Sequence, residues 1–344
     1  MHTRAASWLR HRLGRAVVLS YALALVLPAP GLWLRRPHPL PPSHLTLHTA
    51  PLLLSLVLFS AGLQVPVRAL SALLRHSGVL LAGLVLHLAI PLAVVPFVAF
   101  LLRRTPDADG GSGLLTAMIL VVAMPVAAGA TVWTDKGNGD QPTMVGLVLA
   151  STLLSPLTTP VLLATLSPLL SGGYAHTLAA TGRLSEGGFT LTAMVLPCAA
   201  GLLCALVMPA HWLGRLVTAV APSAMAGSLV LTYVNASGAL GSVLARPRPL
   251  LFAAALAVAA LVCLLSFVLG RVAARLLRLD AATASSLTLA CGMNNSSASA
   301  VLITASLPDK PQLLLPVLAY GLLQKTAANR IVTRLRPPPI AAGA

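Results

Sequence analysis

Two adjacent amides, Asn294 and Asn295, stand between a glycine, Gly292, and a run of hydroxyls, Ser296, Ser297 and Ser299. The surrounding stretch, Ala281 to Leu307, carries no charge and is long enough to cross a bilayer. Amides at membrane depth are costly unless a partner, an ion or a water-filled cavity satisfies them. A glycine beside them lets the backbone leave helical geometry and present its carbonyls as ligands. The chemistry these residues support is binding of an ion or a small solute at a broken transmembrane helix. They do not support catalysis. The chain has no Gly-x-Ser-x-Gly elbow, no His-Glu-x-x-His and no phosphate loop. An intramembrane hydrolase therefore has no nucleophile and base, and primary active transport has no nucleotide site.

A second interruption, Met124-Pro-Val-Ala-Ala-Gly-Ala-Thr131, lies in the first half of the chain. Pro125 removes a backbone donor and leaves the carbonyl near position 121 without its helical partner. Gly129 follows one turn on, then the hydroxyls of Thr131 and Thr134. A proline kink with close packing accounts for this helix equally well when it is taken alone. If the two interrupted helices cross at their breaks, four half-helix ends point into one space. Amino ends favour an anionic group and carboxyl ends a cation, which suits sodium bound together with an organic anion. The expected cavity is lined by Gly129, Thr131, Thr134, Asn294, Asn295, Ser296 and Ser297.

The elements that hold these residues follow from composition. Of 344 residues, 57% are hydrophobic and 9% charged, and the mean hydropathy is +0.88. Soluble domains carry roughly 25% charged residues, so the chain is an integral membrane protein. The net charge of +16 is dispersed and aromatics make up 4%, without the basic stripe or stacking platform that nucleic acid requires. Cys198, Cys204, Cys263 and Cys291 all fall in apolar segments without metal spacing and read as small buried hydrophobes. No cofactor is implied beyond a coupling ion, and no obligate protein partner is evident beside the lipid bilayer.

Ten spans are expected. They lie near Leu13–Leu34, Leu45–Gln64, Gly78–Leu102, Leu114–Thr134 and Thr143–Leu170, then Phe189–Met208, Val217–Leu244, Leu250–Gly270, Ala281–Leu307 and Gln312–Ile331. A polar loop at 171–188 separates a first repeat, 1–170, from a second, 189–331. An odd number of spans per half gives the halves opposite orientations. The expected fold is thus an all-α membrane protein, a five-plus-five inverted repeat whose fourth and ninth helices are discontinuous and crossed. With the amino terminus cytoplasmic, fifteen of the 23 Lys and Arg residues fall inside and eight outside. That bias places both termini in the cytoplasm of an inner, or plasma, membrane. Val65–His76 reads as an amphipathic stretch on the inner surface.

Other polar residues have bland readings. Asp135, Lys136 and Asp140 read as a solvated loop, or more sharply as a cytoplasmic gate. Lys325, well inside the last helix, snorkels to the inner surface or reaches the cavity as a fixed cation. His87 is a structural buried histidine.

Gly292-Met-Asn-Asn resembles the Gly-Met-x-Asn signature in the second crossing helix of the bile acid:sodium symporter superfamily. Ala130-Thr-Val-Trp-Thr through Ser155-Pro-Leu-Thr-Thr-Pro160, with Gly139 between them, resembles that family's fourth and fifth helices. The resemblance implies sodium-coupled uptake of organic anions by alternating access. Carried over by residue, it puts Ala130 and Thr131 where members commonly have a Ser-Asn pair, and Ala290 where they have a carboxylate. Two hydroxyl ligands of the fifth helix fall on Met144 and Val148, which have no side-chain oxygen. A second sodium site is rebuilt from Cys291, Met293 and Asn294, with Thr131 as a further ligand. One sodium ion per cycle, or none, is expected rather than two. The function expected is a secondary transporter, a sodium symporter of a small or amphipathic organic anion. The alternatives are a sodium-independent or proton-coupled relative, and a scaffold or sensor without turnover.

Overall fold

The computed structural model describes residues 2–39, 46–65, 77–103, 111–181, 188–245, 249–307 and 309–335. Among the described residues the regular structure is helical, apart from a two-residue pairing of β1, His38–Pro39, with β2, Thr46–Leu47, and one isolated bridge. The amino-terminal part contains α1 (His2–Val26), α2 (Pro28–Arg35), α3 (Thr49–Leu63) and α4 (Ser77–Leu102). Next come the two pieces of the first interrupted helix, α5 (Ser112–Val122) and α6 (Ala130–Lys136), then α7 (Gln141–Leu166) and α8 (Gly173–Thr181). The remainder holds α9 (Leu196–Val207), entered by a π-helical turn over Thr190–Val195, α10 (Ala210–Ala245) and α11 (Pro249–Leu276). The second interrupted helix follows as α12 (Ala281–Gly292) and α13 (Ser296–Ser306), and α14 (Leu314–Leu335) closes the described chain.

Two expectations are corrected. The first span is not one helix, because α1 and α2 meet at 93°. Pro28 and Pro30 explain the bend: Pro28 opens α2, where its missing N–H costs nothing, and neither proline can extend α1. The loop at 171–188 contains α8, whose Tyr174 and Leu178 are buried in the core. The amphipathic stretch expected at Val65–His76 lies, beyond Val65, outside the described residues.

Among the described residues, five helices are long and apolar enough to cross a membrane, or six if the bent pair α1–α2 counts as one span. The pieces of the interrupted helices fall short of that length because each has been divided. The molecule is a multi-pass membrane protein.

Helices pack in two groups. In one, α1, α2 and α3 lie against α10, and α3 against α9; in the other, α4 packs on α7, and α11 on α12 and α14. The first group relies on small residues, as membrane helix contacts do. A Cβ at Gly62 would come within 2.1 Å of the Cys198 carbonyl oxygen, and one at Gly201 within 2.1 Å of the Phe59 carbonyl oxygen. The two backbones therefore touch. The large exposed side chains, such as Leu81 and Phe100 on α4 or Leu256 and Leu264 on α11, mark faces turned to lipid. By contrast, α5 is buried at every position but Gly113, and α12 is buried from Ser285 to Gly292. The interrupted helices thus sit at the centre, away from lipid, the one location where irregular backbone is tolerated.

Gly201→Val should separate α3 from α9, because only backbone atoms oppose the new side chain; the expected cost is about 2 kcal/mol or more. Thermal unfolding in detergent reads it, with Gly214→Ala, where a Cβ meets nothing within 4 Å, as the neutral comparison. An unchanged melting temperature for Gly201→Val would remove the argument for contact.

Candidate functional site

The two breaks bind each other through their backbones. Val126 and Asn294 form an isolated antiparallel bridge. The Ala127 N–H donates to the Met293 carbonyl at 2.8 Å, and the Asn295 N–H donates to the Pro125 carbonyl at 2.9 Å. Each break supplies what the other lacks.

The remaining polar groups are accounted for almost one by one. Around Pro125, the Val121 carbonyl accepts from the Met124 N–H at 3.3 Å. The Leu120 carbonyl accepts from the Ser299 hydroxyl at 3.0 Å, and the Ala123 carbonyl from the Thr159 hydroxyl at 2.9 Å. The Val126 N–H donates to Ser151 Oγ at 3.1 Å. At the second break, Asn294 Nδ2 donates to the Tyr320 hydroxyl at 3.0 Å, and that hydroxyl donates to the Gly292 carbonyl at 3.1 Å. Gln324 Nε2 donates to the Asn294 carbonyl at 3.0 Å and to Ser296 Oγ at 3.3 Å. Asn295 caps α13, its Oδ1 accepting from the Ala298 N–H at 3.1 Å. Gln324 Oε1 is buried without a partner, and turning the amide over is not an option, because the Asn294 carbonyl can only accept.

Glycine permits the second break in a specific way. A Cβ at Gly292 would fall 2.4 Å from the Phe267 ring on α11, so the backbone lies directly on an aromatic face. Gly129 differs, with nothing within 4 Å of a notional Cβ, because it opens onto a cavity.

That cavity has a volume of about 480 Å³, within the range that encloses a small-molecule ligand. The breaks give it Ala127, Ala128, Gly129, Met293, Asn294 and Asn295, and the first turn of α13 adds Ser296 and Ser297. The other helices contribute Val17 and Val18 of α1, Leu54 and Val57 of α3, and Ser228, Leu231 and Thr232 of α10. Arg15, Lys136 and Lys325 also line it, and among the described residues no Asp or Glu does.

Of the residues expected from the sequence, Gly129, Met293, Asn294, Asn295, Ser296 and Ser297 come together here. Thr131, Thr134 and Cys291 are not among the lining residues. The Thr131 hydroxyl donates back to the Ala128 carbonyl at 2.8 Å. Thr134 is fully buried, with its hydroxyl unpartnered. Cys291 turns its side chain to Gly270 on α11, leaving only its backbone carbonyl for a ligand at the break. Ala290 is buried and brings no carboxylate.

Asp140 is not in a solvated loop. Its carboxylate caps α7 by accepting from the hydroxyl and N–H of Thr143. Its N–H donates to the Ala282 carbonyl at 3.2 Å, and its carbonyl accepts from the Ser286 hydroxyl at 3.0 Å. The connection after the first break is therefore stitched to the start of α12. There Asp280 caps the helix, and hydrogen bonds from the Thr283 hydroxyl, then from amides, hold its carboxyl below its ordinary range. Sequence reasoning missed Tyr320, Gln324, Ser151 and Thr159. The signals were present: Tyr320 and Gln324 are one turn apart on an apolar helix, and Ser151, Ser155 and Thr159 make a polar stripe at four-residue spacing.

The model of the Sodium Bile acid symporter family matches residues 51–246, more than half of the chain. The chain belongs to this family. Its members are transporters, not enzymes. The matched region runs from α3 to the end of α10 and includes the first break; the second break lies beyond it and stands on the geometry above. No curated protein matches the chain.

Thr159→Val and Ser299→Ala should each leave a buried carbonyl short of a donor, at a cost of about 1–3 kcal/mol. Thermal unfolding measures it, and a double substitution should exceed either alone. Wild-type stability in both single variants would show that the hydroxyls do not complete the break.

Proposed function

We propose that the protein is a secondary active transporter that carries a small or amphipathic organic anion by alternating access. The observation behind this reading is the cavity at the joined breaks, lined by amides and hydroxyls together with aliphatic side chains and by three cationic side chains, with no carboxylate among the described lining residues. It fits an anion with a hydrocarbon body. The five-plus-five inverted repeat, with crossed fourth and ninth helices, is the architecture that would give such a cavity two alternating mouths. The charge bias favours a plasma-membrane orientation with both termini cytoplasmic. Gly129, Thr131, Thr134, Asn295, Ser296 and Ser297 form the proposed substrate site, with Thr131 and Thr134 engaging it once the helices move.

Sodium is the proposed coupling ion, held by the Cys291 and Met293 carbonyls, the Asn294 side chain and Thr131. Met293 keeps one carbonyl lone pair beyond its bond to Ala127. The unpartnered Gln324 Oε1, on a side chain bonded to the Asn294 carbonyl, adds a neutral oxygen nearby. A second reading, transport without sodium, is favoured by Lys325 in the cavity wall together with the missing carboxylate at Ala290. Neutral oxygens alone make a weaker cage for a hard cation in a low-dielectric site.

Proteoliposomes and a panel of organic anions, with and without an inward sodium gradient, test this. Uptake that rises with the gradient is expected. Equal uptake in both conditions removes sodium coupling, and no uptake of any anion favours a scaffold or sensor. Asn294→Ala and Asn295→Ala should each abolish uptake in protein that still folds; wild-type rates would remove the site assignment.

A further inference from the structure

Arg15, Lys136 and Lys325 do not stand equally in the cavity wall. Arg15 is exposed, and Lys136 lies over the Trp133 ring at 4.9 Å from its centroid. Lys325 is half-buried and sits deeper, since Asn329, a turn further along α14, still lines the cavity. Its neighbour Gln324 bonds Ser296 Oγ and the Asn294 carbonyl, which ties this part of α14 to the first turn of α13. Among the described residues no carboxylate pairs with Lys325.

An ammonium inside a transmembrane helix without an acidic partner is expensive, and such a group faces a cavity or marks a solute path. Snorkelling would carry the amine out to the surface, away from the breaks. Here Lys325 lines the same cavity as Asn294, Asn295, Ser296 and Ser297. The amino end of α13, an eleven-residue helix, adds the partial positive charge that favours an anion.

We propose that Lys325 is the counter-charge of the carried anion, pairing with its carboxylate or sulfonate against the first turn of α13, while the hydrocarbon lies on Val17, Val18, Leu54 and Val57. This deepens the transport reading and rests on it. A fixed cation selects the charged form. An uncharged analogue of equal size leaves the ammonium unpaired and binds poorly, and an arginine at 325 preserves the pairing.

The probes are pentanoate, pentanesulfonate and pentanamide. Binding is followed by thermal stabilisation of purified protein, and uptake is followed in proteoliposomes. The wild type should bind both anions at least tenfold more tightly than pentanamide. Lys325→Gln should weaken anion binding about thirtyfold and leave pentanamide unchanged, whereas Lys325→Arg should stay within about threefold of wild type. Equal binding of pentanoate and pentanamide by the wild type overturns the proposal even if Lys325→Gln does not fold, as does the absence of any anion-dependent shift. Wild-type anion affinity in folded Lys325→Gln also overturns it. Charge-selective binding without uptake instead removes the transport reading and leaves the assignment of Lys325 standing.

Discussion

A reciprocal pair of backbone hydrogen bonds, from Ala127 to Met293 and from Asn295 to Pro125, is the interaction on which the site depends. A helix broken in hydrocarbon strands N–H and C=O groups that water would otherwise satisfy, and each unsatisfied group costs several kcal/mol. Two breaks brought together cancel much of that cost by adopting, for a few residues, the pairing of a β-ladder. What the ladder leaves over is taken by Ser151, Thr159, Ser299, Tyr320 and Gln324. The surrounding helices can then be almost wholly apolar.

The cavity is a by-product of the same arrangement. Two helices that stop and restart at one level turn their ends toward a common space. The amino end of α13 therefore reaches the cavity without any charged side chain on that helix. From α1, α3 and α10 come the aliphatic side chains Val17, Val18, Leu54, Val57 and Leu231, which tolerate variation in ligand shape, together with Arg15, Ser228 and Thr232. Family membership and site chemistry thus rest on different parts of the chain. The matched region ends with α10, whereas the residues richest in binding groups, Asn294 to Ser297 and Gln324–Lys325, come afterwards.

Much of this was legible in the residues. Pro125 with Gly129, and Gly292 with Asn294–Asn295, announce interruptions, because proline and glycine act locally and amides in an apolar run demand a partner. Six of the residues expected to form the site do line one cavity. What could not be read was which groups complete the breaks. Thr159 bonds Ala123, 36 residues away, and Ser299 bonds Leu120, 179 residues away. Hydroxyls such as these look like any serine or threonine that bonds its own helix. Thr131 and Thr134 illustrate the converse, since a hydroxyl beside a break need not line the cavity. The bend at Leu27 was visible in Pro28 and Pro30, but a hydrophobic run of spanning length concealed it. Only the length of a run decides whether it can span, and length is blind to direction.

The pairing of the breaks also bears on how the protein is made. The Pro125 carbonyl awaits the Asn295 N–H, a group 170 residues further along the chain. While the second half is still being synthesised, the segment around Pro125 has been delivered with the Leu120 and Pro125 carbonyls and the Ala127 N–H open. It is therefore poorly matched to lipid and inclined to linger at the insertion machinery or the bilayer surface. Entry of α12 and α13 supplies the missing partners. The chain from α12 onward thus acts as a template that seats a segment inserted long before it, and a protein truncated ahead of α12 would lack both the site and the partners that close the break after α5.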